Sequence, residues 1–188
     1  MFDVGETLVD ETRLWERAAD IAGVPRFTLM GVLGGLAARG RPHHEVWRIL
    51  GVGPPAVSFR LLDEYYPDAL PTIAELRAGG RSVGAVGNTP PEVEDDLRPH
   101  VDFVGSSARW GVEKPAAAFF ARLVEEAGAA PERIAYVGDR VDNDVVPAVA
   151  AGLKSVRVRR GAHAKVPSPD GTVTIDSLAE LPEALARV

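Results

Sequence analysis

The chain has 188 residues, 46% of them hydrophobic, a length that suits one domain or one core carrying a modest insertion. It has no cysteine, which excludes disulfides, thiolate metal sites and thiol nucleophiles and suits a reducing compartment. Its formal net charge of −6 excludes a chain-wide positive field, so no nucleic-acid partner is expected and a small anion has to be held by local cations.

Only Met1 and Phe2 precede Asp3, whereas a buried parallel strand runs to about five or six residues. A clipped central strand leaves its neighbours with unpaired backbone groups, so the expectation is a true start upstream. From Glu11 to about Gly80 the pattern is helical. Glu11–Ala22 ends at Gly23-Val24-Pro25, Thr28–Ala38 at Gly40 and His43–Leu50 at Gly51, and Val57–Tyr65 and Leu70–Ala78 follow, each bounded by Pro or Gly. The remainder alternates: strand Ser82–Val86, helix Pro91–Arg98, strand Asp102–Val104, helix Pro115–Ala127, strand Arg133–Val137, helix Asn143–Ala151, strand Ser155–Val158, then a closing helix Leu178–Arg187. Such alternation implies a parallel sheet covered on both faces, an α/β fold. The expected division is a core of residues 1–10 and 80–188 interrupted by a helical insertion of residues 11–79. Arg159–Gly171, a Pro/Gly loop with Arg159, Arg160, His163 and Lys165, reads as a solvated surface loop rather than an anion site. No apolar run approaches the roughly 18 residues of a membrane span and no basic-then-apolar leader is visible, so no membrane partner is expected and a cytoplasmic location is the default.

Four short segments carry chemistry: Asp3-Val4-Gly5-Glu6-Thr7, Gly87-Asn88 at the end of an apolar run, Lys114-Pro115, and Gly138-Asp139-Arg140-Val141-Asp142-Asn143-Asp144. They supply a nucleophilic carboxylate, a polar anchor, a fixed cation and an acidic cluster, the parts needed to cleave a bond at an anionic centre beside a divalent metal. Asp3 and Asp139 both end apolar strands. If those strands are neighbours where strand order reverses, two carboxylates converge on one hole at the carboxyl edge of the sheet, an oxygen environment that hard cations prefer. Each motif alone has a plainer reading: Asp3 as a turn residue, and Asp139-Arg140 with Asp142-Asn143 as caps of the next helix.

Taken in this order, with the helical insertion after the first, the segments resemble the haloacid dehalogenase-like (HAD) hydrolase superfamily, most of whose members are magnesium-dependent phosphatases working through an aspartyl-phosphate. The resemblance implies a Rossmann-like three-layer sandwich with a five-stranded parallel sheet plus a small helical cap. Carried over by position, it makes Asp3 the nucleophile and a Mg2+ ligand, and the Gly5 carbonyl a second ligand. Thr7 positions the nucleophile, and Asn88, beside Gly87, bonds the transferring group. Lys114 neutralises charge between nucleophile and substrate. Asp139 completes the metal site, and Asp144 orients Lys114 or a metal-bound water. Asp142 either competes with Asp144 or caps the helix.

Two positions depart from that pattern. The phosphatases carry a second Asp two residues after the nucleophile, as acid for the leaving group and base for the water, where this chain has Gly5. General acid–base assistance is commonly worth about 10²–10⁴ in rate, so restoring it by Gly5→Asp is expected to raise phosphatase activity. Glu6 is adjacent in sequence, and His43 and His44 in the insertion are further substitutes, with surface placement the plainer reading of both. Gly87 stands where the family has Ser or Thr. The readings are therefore a magnesium-dependent hydrolase of a small phosphorylated metabolite, a hydrolase of carbon–halogen or carbon–phosphorus bonds, or a silent binding protein of the same fold. Trp15, Trp47 and Trp110 read as core rather than as an entrance lining, and Arg13 and Arg39 as solvated rather than anion-binding.

Overall fold

The structure, a computed structural model, describes residues 1–57 and 64–188. Strand β1 (Gly84–Gly87) pairs in parallel with β2 (Phe103–Ser106), and β3 (Ala135–Gly138), β4 (Lys154–Val158) and β5 (Val173–Ile175) pair in parallel in that order. The N-terminal residues join the two groups, because Phe2 bridges Ala85 on one side and Val137 on the other. The Phe2 N–H donates to the Gly84 carbonyl and the Asp3 N–H to the Val137 carbonyl, both at 2.8 Å. Across the sheet the order is therefore β2, β1, the Asp3 segment, β3, β4, β5. Strand order reverses beside Asp3, as ligand sites in such sheets require. The Rossmann-like α/β class expected from the alternation is present, with one strand more than the five predicted: Val173–Ile175 is too short for its apolar run to register beside the Pro/Gly loop.

Helices α1 (Thr12–Ile21), α2 (Arg26–Ala37) and α3 (Glu45–Leu50) bury Ala19, Leu29, Leu33, Leu36 and Val46 against one another, with Trp15 and Trp47 packed alongside. The two indoles stack at 6.2 Å. Helix α4 (Ala69–Ala78) instead contributes Ala69, Ile73 and Leu76 to the core of the sheet, with Phe2, Val4, Ala85 and Val137. On the same face lie Val93 and Leu97 of α5 (Glu92–Leu97). The opposite face is covered by Trp110 at the end of the short α6 (Ser107–Trp110), by Phe119, Phe120 and Leu123 of α7 (Ala117–Ala127), and by Ala148 of α8 (Val146–Ala150). Trp110 sits 5.1 Å from the Phe119 ring, a core residue as read. The closing helix is shorter than predicted. A 3-10 turn capped by Ser177 and Glu180 leads into α9 (Leu181–Ala184), which returns to the α4 face.

Two further expectations change. Residues 58–63 of the helix expected over Val57–Tyr65 lie outside the described residues, but its end is not helical: Tyr65 pairs antiparallel with Val9, and the Asp10 N–H donates to the Glu64 carbonyl at 2.8 Å. The segments entering and leaving the α1–α3 bundle therefore run side by side. The Arg159–Gly171 loop is also not simply solvated. Arg160 is largely buried, pairs with Asp68, donates to the Thr7 carbonyl at 2.8 Å and lies over the Tyr66 ring at 4.2 Å. Among the described residues, no helix is long and apolar enough to cross a membrane.

Candidate active site

Asp3 leaves the centre of the sheet into a tight turn over residues 4 to 9. The Val4 carbonyl accepts from the Leu8 and Val9 N–H groups, and the Glu6 N–H donates to the Val9 carbonyl at 2.7 Å. Glu6 holds a left-handed backbone (φ +51°), a conformation that side chains other than glycine adopt at a cost and that clusters at functional turns. Gly87 ends the neighbouring strand, and a Cβ there would stand 2.8 Å from Asp3 Oδ1 and 3.2 Å from Val4 Cγ2. The replacement of Ser or Thr by Gly is therefore matched to how closely the Asp3 carboxylate approaches β1.

Asp139 follows β3, and the helix predicted from Asn143 opens earlier, as a π-helical turn over Val141–Val145 that turns Asp144 inward. Lys114 Nζ lies 2.6 Å from both Asp3 Oδ1 and Asp144 Oδ1. The other Asp144 oxygen accepts from the Arg140 N–H at 2.9 Å, so Asp144 is fully engaged as the partner that orients Lys114. Lys114 itself follows β2 and α6 in a loop held by Asn88, and its Nζ sits 5.5 Å from the Tyr136 ring. The four chemical groups are buried, Lys114 to 3% exposure and Asp144 to 0%.

Burial and charge together set the electrostatics. Burial pushes the Asp3 carboxyl up; Lys114 opposes this and Asp144 adds to it, leaving it at about 6. Burial, then the Asp144 and Asp3 charges, push Asp139 well above the usual carboxylate range. Burial disfavours the Lys114 charge, but Asp144 and Asp3 outweigh it and hold the ammonium well above an ordinary lysine. Oxygens of Asp3, Asp139 and Asp144 all fall within 4.8 Å of one another. One ammonium cannot balance three carboxylates, and the Asp139 side chain, 2% exposed, makes no hydrogen bond or ion pair among the described residues. A buried carboxylate without a partner next to two others is an all-oxygen donor set that a hard divalent cation fits.

The remaining predicted positions fall as follows. Thr7 is buried, and its hydroxyl has no partner among the described residues. Both polar atoms of the Asn88 amide engage the Lys114 backbone, leaving one N–H hydrogen for a ligand. Asp142 pairs with Arg140 at 2.6 Å and does not compete with Asp144. Of the substitutes for the missing acid, Glu6 accepts from the Tyr66 hydroxyl at 2.5 Å, while His43 and His44 are surface residues, His43 with its ring 5.6 Å from Trp15. Arg13 is exposed near Glu64, and Arg39 donates to its own helix at Gly35.

Two residues that the sequence did not flag complete the surroundings. Arg157, in the middle of β4, is fully buried and donates to the carbonyls of Asp139, Val166 and His163 and to the Ser168 hydroxyl, fastening the 163–168 loop beside the acidic cluster. A charge inside an apolar strand was the available signal. Glu11, just before α1, lies over Gly5: a Cβ added at Gly5 would overlap the Glu11 carboxyl, whose Cδ would be 2.8 Å away. A side chain at position 5, as in Gly5→Asp, would therefore require the Glu11 side chain to swing aside. Burial, then the Glu6 and Asp3 charges, push the Glu11 carboxyl up to about 8.

The family model described as HAD-hydrolase-like matches residues 112–181, which hold Lys114, Asp139 and Asp144. The glyceraldehyde 3-phosphate phosphatase of Methanopyrus kandleri is 38% identical over 104 residues, 52% of this chain and 45% of that protein. The phosphoserine phosphatase of Thermus thermophilus is 32% identical over 128 residues, 64% of this chain and 51% of that protein. The chain thus spans about half the length of the curated relatives it matches. Among solved structures, the HAD-hydrolase YfnB from Bacillus subtilis bound to magnesium superposes with a TM-score of 0.72 at 19% identity, over 98% of this chain and 96% of that one. The L-2-haloacid dehalogenase from Xanthobacter autotrophicus superposes with a TM-score of 0.68 at 18% identity, over 98% and 96%. At such identities the two structures speak for the fold, and the family match covers three of the four residues that meet in the site: the chain has a HAD-like fold, and its residues 112–181 match the HAD-hydrolase-like family.

Proposed function

We propose that the protein is a phosphatase acting on a small phosphorylated metabolite through an aspartyl intermediate at Asp3, with Mg2+ as cofactor. The observation that carries this reading is the arrangement of Asp3, Lys114 and Asp144 in one buried chain of 2.6 Å contacts, with Asp139 unpaired beside them. Asp3, Asp139 and the Gly5 carbonyl would hold the ion, which when bound supplies charge neutralisation at the transferring phosphoryl group. Lys114 supplies a preorganised positive charge between nucleophile and phosphate, in a site dry enough for it to act strongly. Asp144 keeps that ammonium charged and aimed. The remaining Asn88 N–H would bond a phosphate oxygen. The relatives named as phosphatases of glyceraldehyde 3-phosphate and phosphoserine support a small phosphomonoester as substrate class.

A carbon–halogen substrate is the second reading, favoured by Gly5 and disfavoured by the acidic cluster, which a halide-releasing reaction has no use for. The two separate in one assay: purified protein with 4-nitrophenyl phosphate and with short 2-haloacids, each with magnesium and with chelator. Phosphate release that needs magnesium and is abolished by Asp3→Asn is the expected result. Halide release that survives chelation would replace it with the second reading.

A further inference from the structure

We propose that Arg160 is a positioning residue for the nucleophile: its guanidinium, anchored on Asp68, holds the turn that follows Asp3 and ties it to the segment leaving the α1–α3 bundle. The rate readout of this proposal rests on the phosphatase reading above. Within the turn the Val4 carbonyl collects the Leu8 and Val9 N–H groups, and the Val9 carbonyl takes that of Glu6. Among the described residues the Thr7 carbonyl accepts no backbone N–H. Its donor is Arg160 Nη1, 153 positions away in the chain, at 2.8 Å. The preceding residue, Glu6, keeps its left-handed backbone at φ +51°, a conformation that persists only where the surroundings over-determine it. Two distant side chains do so: the Tyr66 hydroxyl, which donates to the Glu6 carboxylate at 2.5 Å, and Arg160 one residue further on.

Arg160 is itself held on three sides. Its Nη2 pairs with Asp68 Oδ2, an oxygen that also accepts from the Ser177 hydroxyl at 2.6 Å and the Leu178 N–H at 2.9 Å. The guanidinium plane lies over the Tyr66 ring at 4.2 Å. A planar fork can serve two acceptors in fixed directions, which a lysine ammonium cannot do with the same geometry. An ion pair that only stabilised the fold would be complete at Asp68; here the second nitrogen is spent on the turn after the nucleophile. Tyr66 also donates its N–H to the Leu8 carbonyl at 2.9 Å, and α2 of the bundle packs on the Gly161–His163 turn. The turn after Asp3, the segment leaving the bundle and the bundle itself therefore converge on residues 160–163. Arg160 touches no reacting atom. It acts by keeping the Asp3 carboxylate, 2.6 Å from Lys114 Nζ, in the one place from which attack is aligned.

The test compares Arg160→Met, Arg160→Lys and Ser177→Ala, each shown by circular dichroism to be folded, on 4-nitrophenyl phosphate with magnesium, alongside urea midpoints and amide hydrogen exchange of residues 4–9 by mass spectrometry. Arg160→Met is expected to lower kcat by about 10²-fold with KM within about threefold, and to speed exchange in residues 4–9 by about tenfold or more. Arg160→Lys keeps the charge but not the fork, so its kcat should stay about tenfold or more below wild type. If Arg160→Met does not fold, Arg160→Lys carries the same comparison. Ser177→Ala removes a different donor to Asp68 and should lower the urea midpoint while leaving kcat within about twofold. A kcat that follows the urea midpoint across all three variants, or exchange in residues 4–9 that does not change in the Arg160 variants, overturns the Arg160 assignment and leaves the phosphatase reading intact. A wild-type chain inert on the ester overturns the phosphatase reading, and the exchange comparison then decides alone whether Arg160 holds the turn.

Discussion

Asn88 and Lys114 are joined amide to amide: Asn88 Oδ1 accepts the Lys114 N–H at 2.8 Å, and Asn88 Nδ2 donates to the Lys114 carbonyl at 3.0 Å. The side chain after β1 thereby fixes the backbone from which the one buried ammonium of the site extends. Asn88→Ala leaves both peptide groups to water and lets the Lys114 loop drift. It is expected to cost about 1–2 kcal/mol of stability in urea denaturation and about tenfold or more in the phosphatase kcat, with a smaller change in KM.

Lys114 balances two of three buried carboxylates, so removing its charge leaves Asp3 and Asp144 facing each other without a counter-ion. Lys114→Met is expected to lose about 3 kcal/mol or more in chelator, and to regain part of it when magnesium is added. A thermal melt with and without the metal measures both. The same variant should show no more than about a thousandth of the wild-type phosphatase rate.

Gly87→Ser restores the residue type usual in the superfamily and still should not help here. Its Cβ would come within 2.8 Å of Asp3 Oδ1, so either the nucleophile or β1 must shift. The expected outcome is a loss of about 1–3 kcal/mol in denaturation midpoint measurements together with reduced turnover.

The metal-free protein should grow less stable as pH rises. Asp3 at about 6 and Glu11 at about 8 hold protons in the folded chain that the unfolded chain releases above about pH 4–4.5. The folded state then binds more protons, so stability declines with pH, through about 6 for Asp3 and about 8 for Glu11. Urea midpoints in chelator at pH 5 and pH 8 check this, and Glu11→Gln should flatten the slope. Saturating magnesium should raise the midpoint more at pH 8 than at pH 5, because the ion needs the deprotonated carboxylates.

Arg157→Met removes four hydrogen bonds at once and leaves the Asp139, Val166 and His163 carbonyls without their donor. A loss of about 3 kcal/mol or more is expected in chemical denaturation, with new protease cuts between residues 160 and 170.

The residues whose position was legible in the sequence are those that end apolar runs. Asp3, Asn88 and Asp139 each follow a buried strand, and a polar residue there has nowhere to go but the carboxyl edge of the sheet. Lys114 was legible only through the company it keeps, since its loop has no periodicity. Glu11 was hidden for a different reason. Its contact with Gly5 depends on a turn held by a left-handed Glu6, a conformation that sequence preference argues against. The strand Val173–Ile175 was missed because three residues carry too little pattern, and the burial of Arg160 because Asp68 and Tyr66, its partners, lie far away in the chain.

The strap formed where Val9 and Tyr65 meet has a mechanical corollary. Two adjacent, mutually bonded segments form the attachment of the bundle, as a jamb holds a door. Glu11 stands two residues from that jamb, whereas His43 and Trp47 belong to the outer panel. The Glu11 carboxyl, packed on Gly5, is thereby tied to the jamb rather than to the panel.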